Sequence, residues 1–159
     1  MIECASALDV ARLLGRVRSR ADKYSDLLLC SPFIDDETIA LVGLVAEAAS
    51  NARCRLEIIT AQQAVDRVKA LLTPVEDRQI RLIGCPRLHA KFYVAVGRRE
   101  EHTEAIITST NLTAAGLTRN IELGVRIAAT TPHGRTMLDH LDRFARRLAH
   151  NRRFTWRNH

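Results

Sequence analysis

The sequence predicts an α/β protein: a mixed central β-sheet with helices on both faces. Three observations lead there. Apolar spacings alternate between strand and helix periods through the first half of the chain. The second half reads mostly as strands and closes on one amphipathic helix. No segment repeats, so each of six expected strands is used once. The 159 residues suit one domain, 1–159, with a basic tail from about 151.

The elements follow in order. Val10, Leu13, Leu14 and Val17 recur at helical spacing, so a helix is expected over 5–21, with Arg12, Arg16 and Arg20 on its polar face. Residues 26–31 form a short apolar run ended by Pro32. Asp35 is placed to cap the next helix, with Asp36 and Glu37 in its first turn, running to about Ala49. Residues 54–60 alternate as a second strand. A helix through Val65, Val68 and Leu72 is expected to stop at Thr73-Pro74. Strands are then expected over 79–83, 88–96, 105–109 and 120–128, the middle two as a hairpin-like pair. Thr131 and Pro132 open the last helix as cap and first residue, and Met137, Leu138, Leu141, Phe144, Ala145 and Leu148 form its apolar stripe.

Composition narrows the function. Apolar residues make up 47% and charged residues 26%, an ordinary globular balance. The longest apolar run, 39–49, contains Gly43 and Glu47 and is too short to cross a membrane. The opening Met-Ile-Glu-Cys-Ala lacks the basic start and apolar stretch of a signal peptide, so a cytoplasmic location without stable membrane association is expected. Cys4, Cys30, Cys54 and Cys85 are too far apart for a zinc site and read as reduced thiols. Neither a metal nor another cofactor is expected. A net charge of +6 favours polyanionic partners such as nucleic acid or an anionic membrane surface.

The chemistry concentrates in three stretches. His89 and Lys91 lie two apart in an extended run, so they share a face roughly 7 Å apart, while Ala90, Phe92 and Val94 point into a core. An imidazole and an ammonium on an otherwise apolar strand are expensive to bury without a purpose. Ser109 and Asn111 offer a hydroxyl and an amide as donors to phosphate oxygens. Asn120 and Glu122 share a face, and a buried Glu122 carboxylate would suit the orienting role an acid plays beside a catalytic histidine. An isolated His-x-Lys pair would more often be a solvated strand edge; the ordered set of five reverses that judgement.

His89-x-Lys91, then Ser109-x-Asn111, then Glu122 resembles the active-site signature of the phospholipase D superfamily, closest to its small bacterial endonucleases and metal-independent restriction nucleases. The resemblance runs from Ser31-Pro32-Phe33-Ile34 through Val125. Two positions depart from the pattern: Val96 stands where it has an Asp, and Thr108 where it has a Gly. The resemblance implies the phospholipase D/nuclease fold and metal-independent cleavage of a phosphodiester through a phosphohistidine at His89. Lys91, Ser109 and Asn111 would bind phosphate oxygens, and Glu122 would fix the His89 tautomer. A second histidine must protonate the leaving group. His102, His133, His140, His150 and His159 sit in no comparable setting, so a homodimer sharing one site is expected.

Nucleic acid is the expected substrate, cut without sequence preference. The tail interleaves Arg152, Arg153 and Arg157 with Phe154 and Trp156, a composition suited to phosphates and stacked bases; a plain docked terminus is an equal reading. A phospholipase or phosphatidyl transferase is the alternative enzyme. It should need an exposed apolar rim at the site, and aromatic content is only 4%. A non-catalytic nucleic-acid-binding module of a larger defence or restriction system is the alternative outside enzymes.

Overall fold

The computed structural model describes residues 1–72 and 79–150. The elements in chain order are β1 (Ile2–Ala5), α1 (Ala7–Ser19), β2 (Tyr24–Cys30), α2 (Asp36–Asn51), β3 (Arg55–Ala61), α3 (Val65–Leu72) and β4 (Ile80–Cys85). Then follow β5 (Phe92–Gly97), β6 (Glu104–Thr108), α4 (Ala114–Thr118), β7 (Gly124–Ala128) and α5 (Pro132–His150). The strands form one mixed sheet in the order β1-β7-β6-β5-β2-β3-β4. β2, β3 and β4 are parallel. β5 pairs antiparallel with β2, β6 with β5, and β7 with β6.

Helices cover both faces, as the sequence predicts. On one, Leu27, Leu29, Leu56, Ile58, Leu82, Tyr93, Ala95 and Ile106 of the sheet meet the apolar sides of α1, α2 and α3, with Leu117 of α4 beside them. On the other, Cys30, Ile59, Ile83, Phe92, Val94 and Ala105 pack under Leu141, Ala145 and Ala149 of α5. The α5 stripe is narrower than expected, since Met137 and Phe144 are exposed, though the Phe144 ring packs edge-on against Phe92 at 5.9 Å.

Three expectations need correction. The first helix starts at Ala7, because residues 2–5 pair with β7 as a seventh strand. Ile2 and Cys4 remain exposed there, so the strand carries no burial pattern to read. A short helix, α4, occupies 114–118, where no element was expected. Two strands are shorter than expected: β5 begins at Phe92 rather than Leu88, and β7 at Gly124 rather than Asn120. The expected stop at Thr73-Pro74 lies outside the described residues.

The first of these shortened strands follows from topology. β4 is an edge strand, whereas β5 pairs with β2. The chain must therefore cross three strand spacings, about 14 Å, over the carboxyl ends of β3 and β2. Residues 86–91 make that crossing, so they run across the sheet edge and cannot join its ladder. Their polar groups find other partners: Cys30 Sγ donates to Ala90 O (3.6 Å), and Lys91 O accepts from Thr108 N (3.1 Å).

Candidate active site

The sequence-selected residues gather at this carboxyl edge, where α/β sheets place their ligands. His89 and Lys91 ride the crossing. Its alternate residues Leu88 and Ala90 are half-buried under α5, which leaves His89 exposed. The His89 imidazole has no hydrogen-bond partner among the described residues. Lys91 is half-buried, and its Nζ donates to His89 O (3.0 Å), closing the two residues into one tight unit.

The second stretch, 109–113, leaves the end of β6. Ser109 is bound on both sides to the 120–123 loop: its N donates to Leu123 O (3.0 Å), and its Oγ accepts from Leu123 N (3.2 Å). Beneath it, the buried Tyr93 hydroxyl donates to Thr110 O (2.8 Å), and burial raises that phenol's pKa, so it remains a donor. Asn111 is half-buried. Its Oδ1 is fully enclosed without a partner, and its Nδ2 likewise has none among the described residues. An unsatisfied buried amide costs about 1–3 kcal/mol, a cost tolerated where a polar ligand docks.

Two side chains, the buried Ser31 and the half-buried Asp35, fix this loop against β2 and α2. Ser31 Oγ donates to Phe33 O (2.7 Å) and accepts from Leu112 N (2.9 Å). Asp35 caps α2 as expected, accepting from Thr38 N (2.9 Å), but its other oxygen accepts from Ala114 N (2.7 Å) at the start of α4. One carboxylate thus caps two helices and holds Asn111–Thr113 between them. Partial burial pushes the Asp35 pKa up, but the donated Thr38 and Ala114 amides outweigh it, and the net pKa is lowered.

Glu122 is not where the sequence places it. Asn120 and Glu122 lie in a loop before β7, Glu122 is half-buried rather than buried, and its carboxylate is taken by the Ser109 hydroxyl and by Asn120 Nδ2 (3.1 Å). No bond joins Glu122 to His89 within the chain; the carboxylate is bonded to Ser109 and Asn120 instead. The alternation that suggested a strand belongs to an extended loop whose apolar residues point outward. Ile121 and Leu123 are 105% and 72% exposed, and Phe33, in the segment between Ser31 and Asp35, is 56% exposed. These exposed apolar side chains run against the inference from aromatic content that the site lacks them. Arg152, Arg153 and Trp156 lie outside the described residues.

The two departures from the signature have structural accounts. Thr108 faces Gly124 across the β6–β7 pair, and a Cβ on Gly124 would lie 2.7 Å from Thr108 Cβ. The close approach of the two strands here is thus made at Gly124. Thr108 Oγ1 uses the room to donate to Leu123 O (3.2 Å) and accept from Thr110 N (3.1 Å). Val96 pairs with Asp26 near the far end of β5, about 16 Å of strand from Lys91, so it takes no part in the site.

Solved structures share this architecture. Nuc from Salmonella typhimurium, a phospholipase D family member, superposes with a TM-score of 0.57 at 14% identity, covering 91% of this chain and 94% of its own. The fold is that of the phospholipase D superfamily. NucT from Helicobacter pylori matches with a TM-score of 0.60 at 10% identity, over 90% of this chain and 94% of its own. Phosphatidylserine synthase from Haemophilus influenzae matches with 0.61 at 9% identity, over 89% of this chain and 36% of its own. No model of a known protein family and no curated protein sequence matches the chain. Within this phospholipase D fold, the described residues hold no group of three His, Cys, Asp or Glu side chains placed for a metal ion, and no helix long and apolar enough to cross a membrane.

Proposed function

We propose that the protein is a phosphodiesterase of the phospholipase D type, acting as a metal-independent endonuclease on DNA or RNA. The observation that carries this reading is the exposed, unpartnered His89 imidazole backed by Lys91, beside the unpartnered Asn111 amide. A His89 ring nitrogen attacks phosphorus in line; the P–O bond to the leaving oxygen breaks, and a P–N bond forms. A second histidine donates the proton that the leaving oxygen needs, then takes one from water as water displaces His89. Lys91, Asn111 and Ser109 stabilise the charge that collects on the non-bridging oxygens. Glu122 holds Ser109 in position.

Among the described residues, His102, His133 and His140 lie away from this edge, His133 and His140 exposed on α5. On this reading the second histidine is His89 of another copy, for which Phe33, Ile121 and Leu123 would offer exposed apolar side chains. The same side chains favour a second reading, a lipid-directed phosphodiesterase, in which they would meet acyl chains. One assay set separates the readings. Single- and double-stranded DNA, RNA and phospholipid vesicles are each incubated with protein and EDTA, beside His89→Ala. Nucleic-acid cleavage that resists the chelator and is lost in the variant supports the nuclease. Turnover of lipid alone supports the second reading, and binding without cleavage supports a non-catalytic module. A monomer by sedimentation under conditions of full activity would contradict the shared site.

A further inference from the structure

Among the described residues, only two non-glycine residues have left-handed backbone, and both are arginines: Arg53 with φ 55° and Arg87 with φ 58°. Arg53 has an ordinary reason. It follows the last turn of α2, where the chain reverses with Cys54 N donating to Ala49 O (2.8 Å), a position that needs positive φ. A cation there also meets the negative end of the helix.

Arg87 has no such reason. It is the third residue of the turn Cys85-Pro86-Arg87-Leu88, in which Leu88 N donates to Cys85 O (3.4 Å). A turn with proline second and positive φ third is normally completed by glycine or asparagine. A long side chain there carries a strain that glycine would avoid. The Arg87 side chain is exposed and makes no hydrogen bond or ion pair among the described residues, so nothing in the fold returns that strain. Its place is distinctive. The turn is the corner where the chain leaves β4 and begins the crossing, and Arg87, His89 and Lys91 occupy alternate positions along it. Leu88 and Ala90, between them, are held under α5.

We propose that Arg87 is a substrate contact that grips the phosphate next to the one His89 attacks, on the β4 side of the site. The inference rests on the nuclease reading and sharpens it. A polynucleotide offers a neighbouring phosphate; a simple diester offers none. Arg87 therefore makes the site selective for a polymer of phosphodiesters over a single one, and it takes no part in the chemical step.

The test compares wild type, Arg87→Gly and Arg87→Lys on a short single-stranded oligonucleotide and on bis(p-nitrophenyl) phosphate, with oligonucleotide affinity followed against salt. Arg87→Gly suits the positive φ and keeps the fold. Its kcat/KM on the oligonucleotide should fall about five- to tenfold at low salt, chiefly through KM, with hydrolysis of the small diester unchanged. The slope of log affinity against log salt should lose about 0.7, the share of one single-strand phosphate contact. Arg87→Lys should restore most of the slope. Equal losses on both substrates, or no loss and an unchanged slope, would overturn the proposal. A wild type that hydrolyses only the small diester would overturn the nuclease reading itself, and this proposal with it. If the wild type binds the oligonucleotide and cleaves neither substrate, catalysis is the part that fails, and the salt slope still decides on Arg87.

Discussion

Replacing Asp35 should loosen the active site without touching a residue that meets substrate. Its two oxygens accept from Thr38 N and Ala114 N, and its own N donates to Leu112 O at 3.2 Å. Asp35→Ala leaves the backbone bond but orphans two helix-start amides. Each lost cap is worth about 1 kcal/mol, so the variant should lose about 1–3 kcal/mol, less if water replaces one partner. Asp35→Asn should fall between, since its amide presents one acceptor and one donor to two N–H groups. Urea denaturation reads the loss as a lower midpoint at unchanged slope. The same joint predicts an acid effect. The folded pKa of Asp35 lies below its unfolded value, so its contribution is fully present above the usual carboxylate range near 4 and is lost as pH falls through the lowered folded value. The midpoint difference between wild type and Asp35→Asn should therefore shrink below pH 4. Because the cap holds the loop carrying Asn111, KM should also rise in both variants. Asp35 variants with wild-type stability at pH 7, or a midpoint difference constant down to pH 2, would refute the double-cap argument.

Three further outcomes are expected. Gly124→Ala places a Cβ 2.6 Å from Ile107 O and 2.7 Å from Thr108 Cβ, so it should cost about 1–3 kcal/mol in a urea melt. Adding Thr108→Gly should recover only part, because the Ile107 carbonyl remains. Glu104 is 6% exposed and accepts from Arg16 Nη2 (2.5 Å) and Arg126 Nε (2.6 Å), joining α1, β6 and β7; Glu104→Ala should destabilise by about 2–4 kcal/mol, read as a lower thermal midpoint. Glu122→Gln should lower kcat by about tenfold with little change in stability, since Ser109 loses its charged acceptor in a half-exposed loop; a tenfold loss matched by Ser109→Ala, and not deepened in the double variant, would show that the two act as one unit.

The α/β class was legible because buried strands and amphipathic helices announce themselves through period. The candidate site residues were legible as an ordered set, but not their placement. His89 and Lys91 alternate with Leu88 and Ala90 whether the segment runs along the sheet or across its edge, and periodicity cannot separate the two. The same ambiguity turned the loop before β7 into a strand and Glu122 into a buried acid. Asp35 was readable as a cap for α2 because Thr38 is three residues away. Its second bond, to Ala114, depends on a contact 79 residues distant that no local pattern encodes. Glu104 was passed over beside a charged loop for a similar reason, as both its arginine partners are remote in sequence. Arg87 leaves no signal beyond the Pro86 turn, since a positive φ at an arginine becomes visible only in the backbone.

In the proposed reaction His89 forms a covalent bond to phosphorus. Its most direct test is to mix protein with an oligonucleotide, quench in alkali within one turnover, and locate the adduct by mass spectrometry of the digested chain. A nucleotide fragment joined through a P–N bond to the peptide containing His89 is expected, absent in His89→Ala, which should also lose cleavage. Cleavage that persists in His89→Ala, or a wild type that turns over without any adduct on His89, would contradict it.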